Sequence, residues 1–268
     1  MSSKKIYTGL RNLLIVALVA MLSYSAVILL FDYRQHEREK AALEDLAGIV
    51  ENNNPPIPSS AAAAETAQNE TEPPEPTVLE QYRQLHEQNP DMIGWIKIAD
   101  TAINYPVMYT ADDFYLSHGF DRQEAKNGVP FVDKRCSVEP FGTNTIIYSH
   151  NMKNSTMFSE LLLYKDKAFY SNHPTIQFDT LYKAQNYDIV AVFESQVYFK
   201  NDTVFKHYNF LNAESEESFN AYIEQIKALS LYDTGVDTKY GDELITLMTC
   251  SYHIENGRFV VVARREPS

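Results

Sequence analysis

At 268 residues the chain has room for one sizeable domain plus appendages, and 44% hydrophobic residues suffice to give that domain a core. The 36 acidic against 23 basic residues leave a formal net charge of -13, which repels polyanions. Nucleic acid and anionic cell-wall polymers are therefore excluded as electrostatic partners, and no nucleic-acid motif occurs.

Lys4, Lys5 and Arg11 precede NLLIVALVAMLSYSAVILLF, the 20 uncharged residues from Asn12 to Phe31. As a helix this run spans about 30 Å, the thickness of a bilayer's hydrocarbon core. A cleavable signal peptide would have an apolar region of about 7 to 15 residues and a small-residue cleavage site. Here the run is too long, no good A-x-A site follows, and Asp32 to Lys40 is densely charged. The segment reads as an uncleaved anchor. The cationic flank, free of acidic residues, keeps the N-terminus cytoplasmic and places everything after Phe31 outside. A single-pass protein of the cell membrane is expected, with residues 12–31 in the bilayer.

A helical stretch continues to about Val50. Residues 51–77, ENNNPPIPSSAAAAETAQNETEPPEPT, then hold half of the chain's 12 prolines. Such a segment buries too little apolar surface to offset its ordering entropy. It reads as a disordered stalk that reaches about 30 Å as a coil. The expected organisation is a cytoplasmic tip and anchor over 1–31, a partly helical and then Pro/Ala/Glu-rich stalk over 32–77, and a folded domain over 78–268.

Within that domain a short amphipathic helix is expected at Val78 to Gln88, stopped by Pro90. The pattern then changes to short runs rich in β-branched and aromatic residues, bounded by Gly, Asn, Asp or Pro: Gly94 to Ile98, Thr145 to Tyr148, Tyr187 to Phe193, Leu244 to Met248 and Phe259 to Ala263. Helical signals are fewer, at Thr156 to Leu163, Lys165 to Ser171 and Glu216 to Leu229. A mainly β domain follows, closed or nearly closed into a barrel with peripheral helices, since closure removes exposed strand edges.

Two of these runs end on reactive groups. TIIYSHN delivers His150 and LITLMTC delivers Cys250, while ENGRFVVVARR opens the next strand with Arg258. Cys250 and Arg258 flank a turn and so can share one sheet end. His150 lies a hundred residues upstream, where only the fold can bring it to them. The residue types suit acyl transfer: a thiolate attacks, an imidazole moves the proton, and a cation holds the developing oxyanion. Taken singly, each has a plainer reading. A strand-end Cys is commonly a buried small hydrophobe, a lone His is commonly structural, and an Arg after a turn is commonly solvated. The remaining histidines show no zinc-ligand spacing, so neither a metal nor another cofactor is expected.

The motifs TLMTC, YSHN and GRFVVVARR resemble the sortases, most nearly class B. NPDMIGWIKI, INYPV, DDFYLSHGF, GVPFVD and NTIIYSHNMKNSTMF, in that order, carry the resemblance over residues 78–265, with a helix-bearing insertion at about 200–242. The resemblance implies an eight-stranded sortase barrel that performs transpeptidation at the cell surface. Cys250 would attack a C-terminal sorting signal of a client surface protein to give a thioester, which an amine, usually of a peptidoglycan cross-bridge, then resolves. His150 would act as acid and base, and Arg258 would bind the substrate backbone or the oxyanion. Asp112, Leu116 and Ser251 fall where the family lines its sorting-signal groove. Two positions depart from the family: Ser149 stands where Gly commonly precedes the His, and Ser251 stands where an acidic residue often follows the Cys.

Two other readings stay open. A membrane-tethered cysteine peptidase with the same dyad would only hydrolyse. A non-enzymatic surface scaffold would pair Cys250 with Cys136, the chain's other cysteine, in a disulfide.

Overall fold

The computed structural model describes residues 2–53 and 77–267, so the stalk expected over 51–77 lies mostly outside the described residues. The chain forms two compact units, Met1–Ala42 and Leu43–Ser268. The first consists of most of helix α1, which runs Ser2–Asn52. Its apolar side chains from Leu10 to Tyr33 are exposed. Among the described residues this is the one helix long and apolar enough to cross a membrane, with a mean hydropathy of 2.7 over its most apolar stretch.

The second unit begins earlier in the chain than residue 78. Leu43 and Val50 are buried in its cores, and Leu46 and Ala47 pack beside them. Their spacing forms one apolar stripe along the last turns of α1, so the end of this helix belongs to the domain.

Helix α2 (Glu80–Gln88) buries Tyr82 and Leu85. Eight strands follow: β1 (Met92–Lys97), β2 (Asn104–Met108), β3 (Phe131–Val132), β4 (Asn144–Tyr148), β5 (Thr175–Thr180), β6 (Asn186–Gln196), β7 (Leu244–Cys250) and β8 (Gly257–Arg265). They close into a barrel in the order β1-β2-β3-β4-β7-β8-β6-β5. The pairs β2/β3 and β4/β7 are parallel, and the others are antiparallel. Helix α3 (Lys167–Asn172) follows a 3-10 segment, Ser159–Lys165, and α4 (Glu216–Leu229) lies in the insertion between β6 and β7. The helix expected from Thr156 begins only at Ser159, because Ser155 and Met157 adopt positive φ and cannot continue a right-handed helix.

Two apolar clusters hold the unit together. One fills the barrel with Ile96, Ile146, Leu247, Val261 and their neighbours and extends under α4. The other lies between α2 and the segment from 109 to 131, joining Tyr82, Trp95, Met108, Tyr115, Phe120 and Phe131. Trp95 satisfies its indole N–H on Asn104 Oδ1 at 2.7 Å, and Tyr82 donates to the fully buried Asp179 at 2.6 Å. That second cluster supports a loop which reaches the site described next.

Candidate active site

The parallel pairing of β4 with β7 sets Tyr148 against Met248. Each chain continues two residues past that pair, to His150 and Cys250, and side chains two apart on a strand point to the same face. Beyond the last ladder positions, Thr249 Oγ1 donates to Ser149 O at 2.8 Å and Asn151 Nδ2 to Cys250 O at 2.8 Å. The two ends therefore stay aligned past the sheet. Across the antiparallel pair, Cys250 lies directly opposite Arg258, where paired Cβ atoms stand about 4.5–5.5 Å apart.

Cys250, His150 and Arg258 line one cleft of about 510 Å³ at this barrel rim. Tyr148, Met248 and Thr249 form its floor, Asp113 and Leu116 come from the loop after β2, and Val197 and Tyr208 come from the insertion. A larger cavity of about 570 Å³ lies at the other end of the barrel, between Phe141, Phe178, Tyr182 and Tyr187. It contains no cysteine or histidine, so size does not locate the chemistry here.

Both cysteines are free thiols. Cys136 is buried and contacts the carbonyl of Asn144, at the start of β4. Asn144 pairs with Leu244, and the six steps of β7 from there to Cys250 span about 20 Å. A disulfide needs Cα atoms within about 7 Å, so the scaffold with a Cys136–Cys250 bridge is geometrically barred. Burial pushes the Cys136 thiol up to about 11, which keeps it protonated and inert.

The charges around the cleft are mostly committed. Burial alone would raise the Asp133 carboxyl, but hydrogen bonds from Arg135 and Tyr148 outweigh it and hold the group below the usual carboxylate range. Arg135 grips both carboxylate oxygens at 2.9 and 2.7 Å and also donates to Tyr208 O at 2.9 Å. Lys134 pairs with Asp113 at 3.3 Å. Arg258 has no carboxylate partner among the described residues. Its Nη1 donates to Gly257 O at 3.0 Å and to Asn256 O at 3.4 Å, which leaves a cation with spare donors in the same cleft as the thiol.

Of the residues expected to bind substrate, Leu116 lines the cleft. Asp112 does not. It is exposed, and its Oδ1 accepts from Phe114 N at 3.1 Å to cap the turn, while its neighbour Asp113 takes the cleft position. Ser251 is buried and lies behind Cys250 rather than in the cleft, with its hydroxyl beside His253 Nδ1 at 2.8 Å and Glu194 at 3.5 Å. β7 ends at Cys250 and the chain turns back there, with Ser251 N donating to Gly257 O at 3.0 Å, which keeps Ser251 on the turn side. His253 folds back under this turn, so close to Gly257 that a Cβ there would meet its ring at 2.9 Å. Ser149 lines the cleft with a buried hydroxyl that has no partner among the described residues, a feature that costs stability wherever it is not relieved.

A closed barrel that presents a free thiol, an imidazole and an unpaired guanidinium in one cleft is equipped for acyl transfer through a cysteine. The sortase domain model matches residues 96–266, and the chain belongs to the sortase family of cysteine transpeptidases, within its class B. It is 35% identical over 189 residues to sortase B of Listeria monocytogenes, covering 69% of this chain and 73% of that one. The sortase B–substrate complex of Staphylococcus aureus superposes with a TM-score of 0.70 at 25% identity, over 87% of this chain and 98% of that one. A sortase B complexed with triglycine gives 0.69 at 26% identity, over 86% and 98%.

Proposed function

We propose that this sortase works at the outer face of the cell membrane, with Cys250 as nucleophile, His150 as acid and base, and Arg258 as the oxyanion and substrate-backbone donor. The observation that carries the reading is the convergence of the three groups in one cleft, with Cys250 across the strand pair from Arg258. The thiolate of Cys250 attacks a backbone carbonyl in the sorting signal near the C-terminus of a client surface protein. Arg258 binds the oxygen as charge develops there. His150 gives its proton to the departing amine, and a thioester remains. A primary amine, in the cell that of a peptidoglycan cross-bridge, then attacks while His150 takes its proton, and the thiolate leaves. That one sortase B structure holds a substrate and a second structure holds triglycine supports a peptide donor and an amine acceptor here. The exposed apolar helix supports a single-pass anchor with the N-terminus in the cytoplasm and the domains ordered as tip and anchor, stalk, and catalytic barrel.

Full-length enzyme in detergent, incubated with a library of sorting-signal peptides and triglycine, is expected to give an amide product by mass spectrometry. Hydrolysis alone, at saturating amine, would favour the peptidase reading instead. Arg258→Ala is expected to lower turnover by about 10²- to 10³-fold with the fold retained, as for loss of an oxyanion donor. Near-normal turnover would remove Arg258 from that role.

A further inference from the structure

Among the described residues the imidazole of His150 has one hydrogen-bond partner, and it is not a carboxylate. Its Nε2 lies 2.8 Å from the main-chain carbonyl of Leu116. A carbonyl only accepts, so Nε2 carries the proton and Nδ1 is left as the nitrogen that can take a proton from a thiol or amine. The two carboxylates in the cleft are committed elsewhere, Asp113 to Lys134 and Asp133 to Arg135 and Tyr148. The other titratable or charged groups facing the cleft are Cys250 on β7, Arg258 on β8 and Tyr208 in the insertion. Among the described residues none of these is hydrogen-bonded to His150, and the Tyr208 hydroxyl already accepts from Tyr198 N at 3.1 Å.

The carbonyl is itself held in place from behind. Tyr115, fully buried, accepts from Asn89 Nδ2 at 2.8 Å and donates to Asp91 Oδ2 at 2.8 Å, and Arg122 closes the set on Asp91 at 3.0 Å. Val129 N donates to Tyr115 O at 3.0 Å, bringing the returning strand of the loop against the Tyr115–Leu116 backbone. That approach requires Gly128. Its φ is +57°, and a Cβ there would lie 2.5 Å from Tyr115 O and 2.8 Å from Leu116 O.

We propose that the Leu116 carbonyl orients His150 for catalysis, and that Tyr115 and Gly128 act as positioning residues by fixing that carbonyl. The carbonyl sets the tautomer of the neutral ring and accepts a hydrogen bond from the imidazolium formed when the thiol gives up its proton. It thus favours the reactive thiolate–imidazolium pair, the task that a buried carboxylate performs in other nucleophile–histidine systems. The inference rests on the catalytic roles proposed above and adds the element that holds the imidazole.

Imidazole 15N NMR of the full-length enzyme tests it. Neutral His150 is expected as the Nε2–H tautomer, and an Nδ1–H signal would overturn the proposal. In Gly128→Ala and Tyr115→Phe, kcat is expected to fall by about 10- to 100-fold, the scale of a small misplacement of a catalytic group. KM should change little, and the pH profile for alkylation of Cys250 by iodoacetamide should move to higher pH. Tyr115→Phe keeps the buried ring and decides the matter if Gly128→Ala does not fold. Folded variants with the wild-type kcat and alkylation profile would overturn the positioning role. Full turnover in Cys250→Ala would instead defeat the nucleophile assignment, whatever the tautomer proves to be.

Discussion

Cys250→Ala is expected to abolish transpeptidation and thioester formation together, with turnover reduced by about 10⁴-fold or more. Losing the nucleophile removes the covalent route altogether, so only binding and oxyanion stabilisation remain, and these give a small residual rate. The fold should survive, because Cys250 is half-exposed at the end of β7 and, among the described residues, nothing is hydrogen-bonded to its thiol. The second cysteine sharpens the experiment. Cys136 is 5% exposed and its thiol is pushed up to about 11. The folded wild type should therefore show one rapidly reacting thiol, and Cys250→Ala should show none. Intact-mass detection of an acyl-enzyme with a sorting peptide checks both points. An adduct in the Ala variant, or turnover within tenfold of wild type, would move the nucleophile elsewhere.

His150→Ala is the second large effect, a fall in kcat of about 10²- to 10⁴-fold, the range for loss of a general acid and base. Both half-reactions should suffer, because the same ring protonates the departing amine and deprotonates the incoming one. Among the described residues the side chain hydrogen-bonds Leu116 O alone, so thermal stability should shift little. His253→Ala is the informative companion. That ring lies three residues after Cys250 but is folded under the turn beside Ser251 and Glu194. It should leave turnover within a few-fold of wild type. Comparable losses in the two variants, measured by mass spectrometry of the amide product, would show that proximity in sequence had been the better guide.

How far the chain could be read residue by residue follows from the range of each signal. The run ending at Cys250 is a strand throughout and the run leading to His150 is a strand as far as Tyr148, since both are apolar, short and bounded. Strands β2, β3 and β5 are absent from that reading for local reasons. β2 carries Pro106, β3 has two residues, and β5 is largely polar in TIQFDT. The resemblance to the sortases, rather than periodicity, implied the full set of eight. The stripe from Leu43 to Val50 is visible in the sequence, but it continues directly from the charged flank of the anchor, and nothing local to it says which core it joins. Asp112 and Ser251 each fell one residue from a group that lines the cleft, Asp113 and Cys250. The Asp112 carboxylate is taken up by the Phe114 N–H, and Ser251 is turned away because β7 ends at Cys250 and the chain folds back.

The sequence by itself determined that the chain carries a membrane-length apolar run, that its domain is built of short β-branched strands, and that a thiol and an imidazole each terminate one of them. These are local properties, set by the period and composition of adjacent residues. Only the tertiary structure decided that positions 150 and 250 open into one cleft, that Cys136 packs against β4 out of disulfide reach of Cys250, and that a carbonyl at position 116 holds the histidine. Such facts depend on which strands pair and in what register. A main-chain carbonyl is common to every residue, so nothing in Leu116 as a side chain announces what its backbone does.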